Sequence, residues 1–167
     1  MKELKAGYTF IEILIVMTII GILMTVGLAS YNSFNRDRIT RKAVDDIRTY
    51  LRMVGSRAKN NEKDTTVCNT ATDTLNGWYF DFVSLNSLRI YGSCGDPVKT
   101  FGETNLSIPA EIEITTAPDP NLDAILFYPP PGDATGNQTN LPAGGVTILV
   151  NGVEELKVDP SGNVSNL

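Results

Sequence analysis

The chain has no histidine in its 167 residues. That removes the commonest general base near neutral pH, the usual zinc ligand, and the base of the usual serine and cysteine triads. There are two cysteines, Cys68 and Cys94, with no Cys-x-x-Cys spacing for redox work. No phosphate-binding loop, dinucleotide-binding glycine pattern or metalloprotease motif is present. The residues therefore point to no catalytic group, no metal and no cofactor, and the chain is expected not to be an enzyme. Charge is also missing where it would matter most. From Ile13 to Ala29 there is none, and the only polar side chains are Thr18 and Thr25. No proline interrupts the stretch from Tyr31 to Ala58.

What is present begins with that apolar run. As a helix, Ile13–Ala29 rises roughly 25 Å and Tyr8–Tyr31 roughly 36 Å, enough to span a hydrocarbon core. Thr18 and Thr25 can each return a hydroxyl to a carbonyl one turn back, so they do not oppose a span. The segment is apolar all round, so lipid or equivalent helices must surround it. Lys2 and Lys5 precede it, which favours a cytoplasmic N-terminus and a body outside the cytoplasm. Glu12 is the exception at the head of the run. An acidic residue near a helix centre costs about 2.5–3.5 kcal/mol, and less near the interface. Glu12 either solvates the helix start in the headgroup region or meets a cation from a partner chain. A processing site is also legible. Gly27-Leu28-Ala29-Ser30 has the small-x-small form of a secretory cleavage site, which would leave a secreted protein beginning at Ser30.

The hexapeptide Gly7-Tyr8-Thr9-Phe10-Ile11-Glu12, after the short leader Met1–Gly7 and before the apolar run, resembles the class III signal of type IV prepilins and type II secretion pseudopilins. The family's usual form has Phe at the position of Tyr8 and Leu at that of Phe10. The resemblance implies that a prepilin peptidase cuts after Gly7 and methylates the new N-terminus at Tyr8. It implies that Glu12 pairs with the N-terminal ammonium of a neighbouring subunit as a filament grows. An ion pair in low dielectric is strong only when it is made, so Glu12 would favour one register of assembly. Many pilins carry a proline late in this segment, where the helix melts on assembly. Here Gly21 and Gly27 are present without that proline.

Beyond the run, Val44, Ile47, Leu51, Val54 and Ala58 fall on one helix face, which Ala43 and Tyr50 widen. Asn60, Asn61 and Glu62-Lys63-Asp64 mark the stop. Short β-branched and aromatic runs follow: Thr65–Asn69, Gly77–Ser84, Leu88–Ser93, Leu106–Thr116 and Ala124–Tyr128. Val146–Val150 and Val153–Val158 flank Asn151-Gly152, a strong hairpin signal, and Val164 is a last short strand. Pro118–Asn121 and Pro129–Gly145 read as loops. The expected fold class is α+β and pilin-like. A long N-terminal helix, half transmembrane and half amphipathic, packs on an antiparallel β-sheet head. The expected segments are a leader at 1–7, a transmembrane helix at 8–30, an amphipathic helix at 31–64 and a β-rich head at 65–167.

Several head segments, Leu51–Ala58, Thr66-Val67-Cys68, Gly77-Trp78, Ile125–Pro129 and Pro160–Val164, are similar to minor pseudopilins of the H type and related minor pilins. That likeness implies a structural subunit of a type II secretion or type IV pilus filament. Its expected partners are other pilin or pseudopilin subunits, the prepilin peptidase and the membrane. Its expected place is the inner membrane, single-pass, with the head in the periplasm or outside. The alternative is a membrane-anchored or secreted binding domain with no filament role. In an oxidising compartment Cys68 and Cys94 are expected to form a disulfide. It would close 27 residues, worth about 3.5 kcal/mol on the loop-entropy model.

Charge is divided along the chain. Residues 31–63 hold nine Lys or Arg and four Asp or Glu, a balance of +5. Residues 64–167 hold three and thirteen, a balance of −10. The basic helical stretch suits anionic headgroups or an acidic neighbouring subunit. The acidic head repels phosphate backbones, which argues against nucleic acid as a partner. Asp119, Asn121 and Asp123, and likewise Asp159, Ser161 and Asn163, place oxygen ligands at alternate positions. With Pro and Gly beside them, both sets read as turns rather than calcium loops.

Overall fold

A computed structural model describes residues 9–70, 72–120, 122–130 and 139–166, with the side chains at 26–30 and 154 excepted. Gly7 and Tyr8 lie outside the described residues. One helix, α1, runs Phe10–Lys59, and eight strands follow it. Contacts divide the chain into two units, Met1–Ile39 and Thr40–Leu167. The first, as described, is helical from Phe10. Its apolar side chains are uncovered on every side: Ile13, Leu14, Val16, Ile19, Leu23 and Met24 are all exposed.

In the second unit the last turns of α1 bury the stripe read from the sequence. Ala43, Val44, Ile47, Leu51, Val54 and Ala58 are buried, and Tyr50 is half-buried. The helix stops through a left-handed residue. Asn61 takes φ 51°, its N–H donates to the Ala58 carbonyl, and the Glu62 N–H donates to the Arg57 carbonyl. This paired 5→2 and 6→1 bonding satisfies the last carbonyls and turns the chain towards the strands. The Glu62 carbonyl then accepts the Trp78 indole N–H at 2.9 Å, which ties the helix end to the first strand.

Strands β1 (Leu75–Ser84), β2 (Ser87–Cys94), β3 (Lys99–Ser107) and β5 (Ala124–Phe127) form one antiparallel sheet in the order β3-β2-β1-β5. Strands β4 (Ile114–Ala117), β6 (Val146–Val150), β7 (Val153–Val158) and β8 (Val164–Asn166) form a second, in the order β4-β6-β7-β8. The architecture is the α+β helix-on-sheet class, with two sheets rather than one. Trp78, Phe80, Leu88, Ile90, Ile125 and Phe127 fill the inner face of the first sheet. Ile114, Ile148, Val150, Leu156 and Val158 fill that of the second. The β6–β7 hairpin turns at Asn151 (φ 54°) and Gly152 (φ 76°), both left-handed, as a two-residue type I′ turn requires.

Three strand expectations need correction. Thr65–Asn69 is a series of turns and not a strand. The Asp64 carboxylate accepts both the N–H and the hydroxyl of Thr66, and the Asp64 carbonyl accepts the Cys68 N–H. A local aspartate turn thus overrides the β preference of two threonines and a valine. Leu106–Thr116 is not one strand but the end of β3, a turn, and the start of β4. Pro109 lacks an N–H for a ladder, and its carbonyl accepts the Ile112 N–H. The segment crosses from one sheet to the other there. The alternation of exposed Glu111 and Glu113 with buried Ile112 and Ile114 survives, although of these only Ile114, the first residue of β4, pairs in a ladder. Lys99–Ser107 forms an edge strand that the sequence pattern did not show. Its faces are mostly exposed and polar, so no apolar alternation marks it.

The irregular stretch between α1 and β1 is anchored by Asp73, which is 4% exposed. Its carboxylate accepts the Lys99 ammonium at 2.9 Å and the Thr70 N–H at 3.0 Å, and its carbonyl accepts Lys63. Lys99 first, then the Thr70 hydrogen bonds, hold the carboxyl down to about 2 from the ordinary 3.8. A depressed folded pKa means stability that is present above the unfolded value and lost on acidification. The stability of the native chain is expected to fall as pH drops from about 4 to about 2. Asp73→Asn is expected to be less stable at neutral pH and to lack this part of the acid limb. Urea midpoints between pH 2 and 7 check both points.

Candidate functional site

The described part of the N-terminal signal begins at Thr9, which caps α1. Its hydroxyl accepts the Glu12 N–H and the Glu12 carboxylate accepts the Thr9 N–H, both at 3.4 Å. This is a reciprocal capping box, with Thr9 at the N-cap and Glu12 at the third helical position. The acid also faces the positive end of the helix dipole. Glu12 therefore has a structural use within its own chain, which sequence reasoning missed. The Thr9-x-x-Glu12 spacing just before an apolar run is the signal that could have found it. A carboxylate has two oxygens, so the cap is compatible with a second, charged partner.

Below the cap, the Thr18 hydroxyl donates to the Ile15 carbonyl at 2.7 Å and the Thr25 hydroxyl to the Ile22 carbonyl at 2.8 Å. Both polar side chains of the run are thereby satisfied without outside partners, which suits an apolar surrounding. Among the described residues no helix is long and apolar enough to cross a membrane. The described side chains of the run end at Thr25.

In the head, Cys68 and Cys94 are joined in a disulfide with Cα atoms 6.1 Å apart. Both are buried, beside the Asp73 anchor. The Asp159–Asn163 turn is closed on itself. One carboxylate oxygen of Asp159 accepts the Asn163 N–H and the other its amide. Burial works to raise the Asp159 pKa, but the bonds from Asn163 outweigh it and hold the carboxyl below its ordinary value. Of the other alternate set, Asn121 lies outside the described residues, and the Asp119 carbonyl accepts the Thr116 hydroxyl. Among the described residues no group of three or more Cys, Asp or Glu is placed to hold a metal.

Residues 4–28 match the family model of the prokaryotic N-terminal methylation motif. No curated protein and no solved structure matches the chain. The matched stretch takes in Gly7, Tyr8, the Thr9–Glu12 cap and most of the apolar run. The motif supports a type IV pilin-like, processed subunit, and the α+β fold is consistent with a pilin-like architecture.

Proposed function

We propose that the chain is a filament subunit, either a minor pseudopilin of the H type or a minor pilin. Prepilin peptidase cuts it after Gly7 and methylates Tyr8. Residues 8–30 anchor it in the inner membrane, and the head lies in the periplasm or outside the cell. It assembles with other pilin-like subunits through its N-terminal helix, where Glu12 meets the N-terminal ammonium of a neighbour. The observation that carries this reading is the methylation motif at residues 4–28, placed on a helix whose apolar side chains are exposed on every side. An uncovered apolar helix costs roughly 25 cal/mol for each Å² left in water, so it needs lipid or like helices around it.

The mature N-terminus tests the reading. Mass spectrometry of the chain from a host with prepilin peptidase is expected to find a methylated Tyr8. Gly7→Val is expected to accumulate as the uncut precursor and to be lost from sheared filament fractions. A mature chain starting at Ser30 would instead make it a secreted binding domain.

A further inference from the structure

We infer that the open edge of β8 and the cationic face of α1 beside it form one binding groove. Its ligand is an extended, acidic peptide segment of a partner protein. The site lies wholly within the Thr40–Leu167 unit and does not depend on the filament reading. In that reading, the segment belongs to a different subunit and not to a second copy of this chain.

The groove has a volume of about 480 Å³. Arg52, Ser56, Lys59 and Asn60 line one wall, and Gly162 and Asn163 the other. The walls run antiparallel. Arg52 donates to the Val164 carbonyl at 3.3 Å, a Cβ on Gly55 would stand 3.9 Å from the Gly162 carbonyl oxygen, and Lys59 acts on Asp159. Arg52, Ser56, Lys59 and Asn60 are all exposed. The Ser56 and Asn60 side chains take no hydrogen bond among the described residues. Both carboxylate oxygens of Asp159 are bonded to Asn163, so Lys59 is attracted there without a direct bond. The groove thus offers donors and positive charge in a head whose residues 64–167 carry a balance of −10. An acidic ligand is repelled by most of that surface and steered here.

The backbone of β8 makes the groove fit a peptide. β8 ends its sheet, in the order β4-β6-β7-β8. The Asp159 N–H donates to the Asn163 carbonyl, so these two residues are a hydrogen-bonded pair. Antiparallel pairs alternate, so the next pair, Val158 and Val164, points its backbone groups away from one another. The Arg52 bond to the Val164 carbonyl agrees with that direction. The Val164 N–H and the backbone of Asn166 face the same way, and among the described residues no further backbone group meets them. An added strand continues the sheet at such an edge. Edges are normally blocked by a lysine, a proline, a bulge or a cover, as Asn140 covers β5. Here the cations stand back on the neighbouring helix, where they admit an acidic strand and reject a basic one. Arg52 and Lys59 are about 10 Å apart along the axis, the length of three extended residues. Glutamates at alternate positions of such a segment stand about 7 Å apart on one face, within reach of two long cationic side chains.

The test uses the full chain in non-ionic detergent and a dye-labelled heptapeptide of alternating threonine and glutamate. Fluorescence anisotropy is expected to show it binding at least tenfold tighter than the same peptide with lysine for glutamate. A version N-methylated at every backbone amide keeps the charge, loses the ladder donors, and is expected to bind about tenfold more weakly. Lys59→Glu is expected to weaken the acidic peptide about tenfold, and Ser56→Trp, which fills the groove, to abolish binding. Neither side chain is buried, so both variants are expected to melt with the parent. Hydrogen exchange is expected to slow at Val164 and Asn166 when the acidic peptide is bound. Equal binding of the glutamate and lysine peptides overturns the inference. So does an N-methylated peptide that binds as well as the parent, or citrate that competes as strongly as the peptide, since either reduces the groove to an anion site. Protection confined to other segments also overturns it. The mature N-terminus reads the filament proposal separately: an unmethylated chain that still binds the peptide keeps this site and removes that proposal.

Discussion

Replacing Phe127 by alanine is expected to destabilise the head by about 3–5 kcal/mol, the usual range for a buried aromatic ring. Phe127 is 2% exposed and sits where three elements meet. Its backbone pairs with Trp78 of β1 and bridges to Thr139. Its ring lies 3.4 Å from where a Cβ on Gly55 of α1 would stand, and 3.3 Å from the same point on Gly162. Two of its walls are therefore glycine backbone, which has no side chain to swing into the space left behind. The cavity term should accordingly stay near its full size. Against a typical total of about 5–15 kcal/mol, the loss is large, and the melting temperature should fall by about 10–20 °C. Thermal melts of the full chain in detergent, followed by near-ultraviolet circular dichroism, check this. A fall of less than about 3 °C would mean that the neighbouring elements close over the gap.

Loss of the Cys68–Cys94 disulfide is expected to have an effect of similar size. The loop-entropy model assigns about 3.5 kcal/mol to a bridge of this span. The structure adds a local reason. The stretch between α1 and β1 has no ladder of its own, and the disulfide and the Asp73–Lys99 ion pair tie it to the sheet beside the Trp78 bond to the Glu62 carbonyl and the Gly95 bond to the Thr74 carbonyl. The Cys68→Ser, Cys94→Ser double variant should unfold at lower urea than the parent, and dithiothreitol should bring the parent to the same midpoint. If dithiothreitol also shifts the double variant, the reagent acts elsewhere and the assignment fails.

Much of the fold was legible where short-range pattern and packing agree. The buried stripe Val44–Ala58, the helix stop at Asn61, and the Asn151-Gly152 hairpin with Val146–Val150 and Val153–Val158 all follow from residues close in the chain. The failures are equally specific. Thr65–Asn69 lost its strand to one aspartate, and β3 was hidden by its own polarity. The reciprocal cap of Thr9 and Glu12 is missed because the sequence reading weighs Glu12 only against headgroups and a partner's cation, not against Thr9 three residues before it. Nor could the edge of β5 be foreseen. Asn140 covers it by accepting the Leu126 N–H and donating to the Ala124 carbonyl from 14 and 16 residues away.

The sequence by itself determined the uncharged run, the methylation motif around Gly7 and Tyr8, the absence of histidine, and the split of charge between helix and head. These depend on composition and near neighbours, which a linear chain states directly. Only the tertiary structure decided that the strands divide into two sheets and that Phe127 packs between Gly55 of α1 and Gly162 of the turn before β8. It alone brought the Asp73 carboxylate to Lys99 and set Asn140 against the open edge of β5. Those juxtapositions bring together residues up to about a hundred positions apart. They follow from which buried faces pack and which backbone groups find partners, and no local pattern encodes that choice.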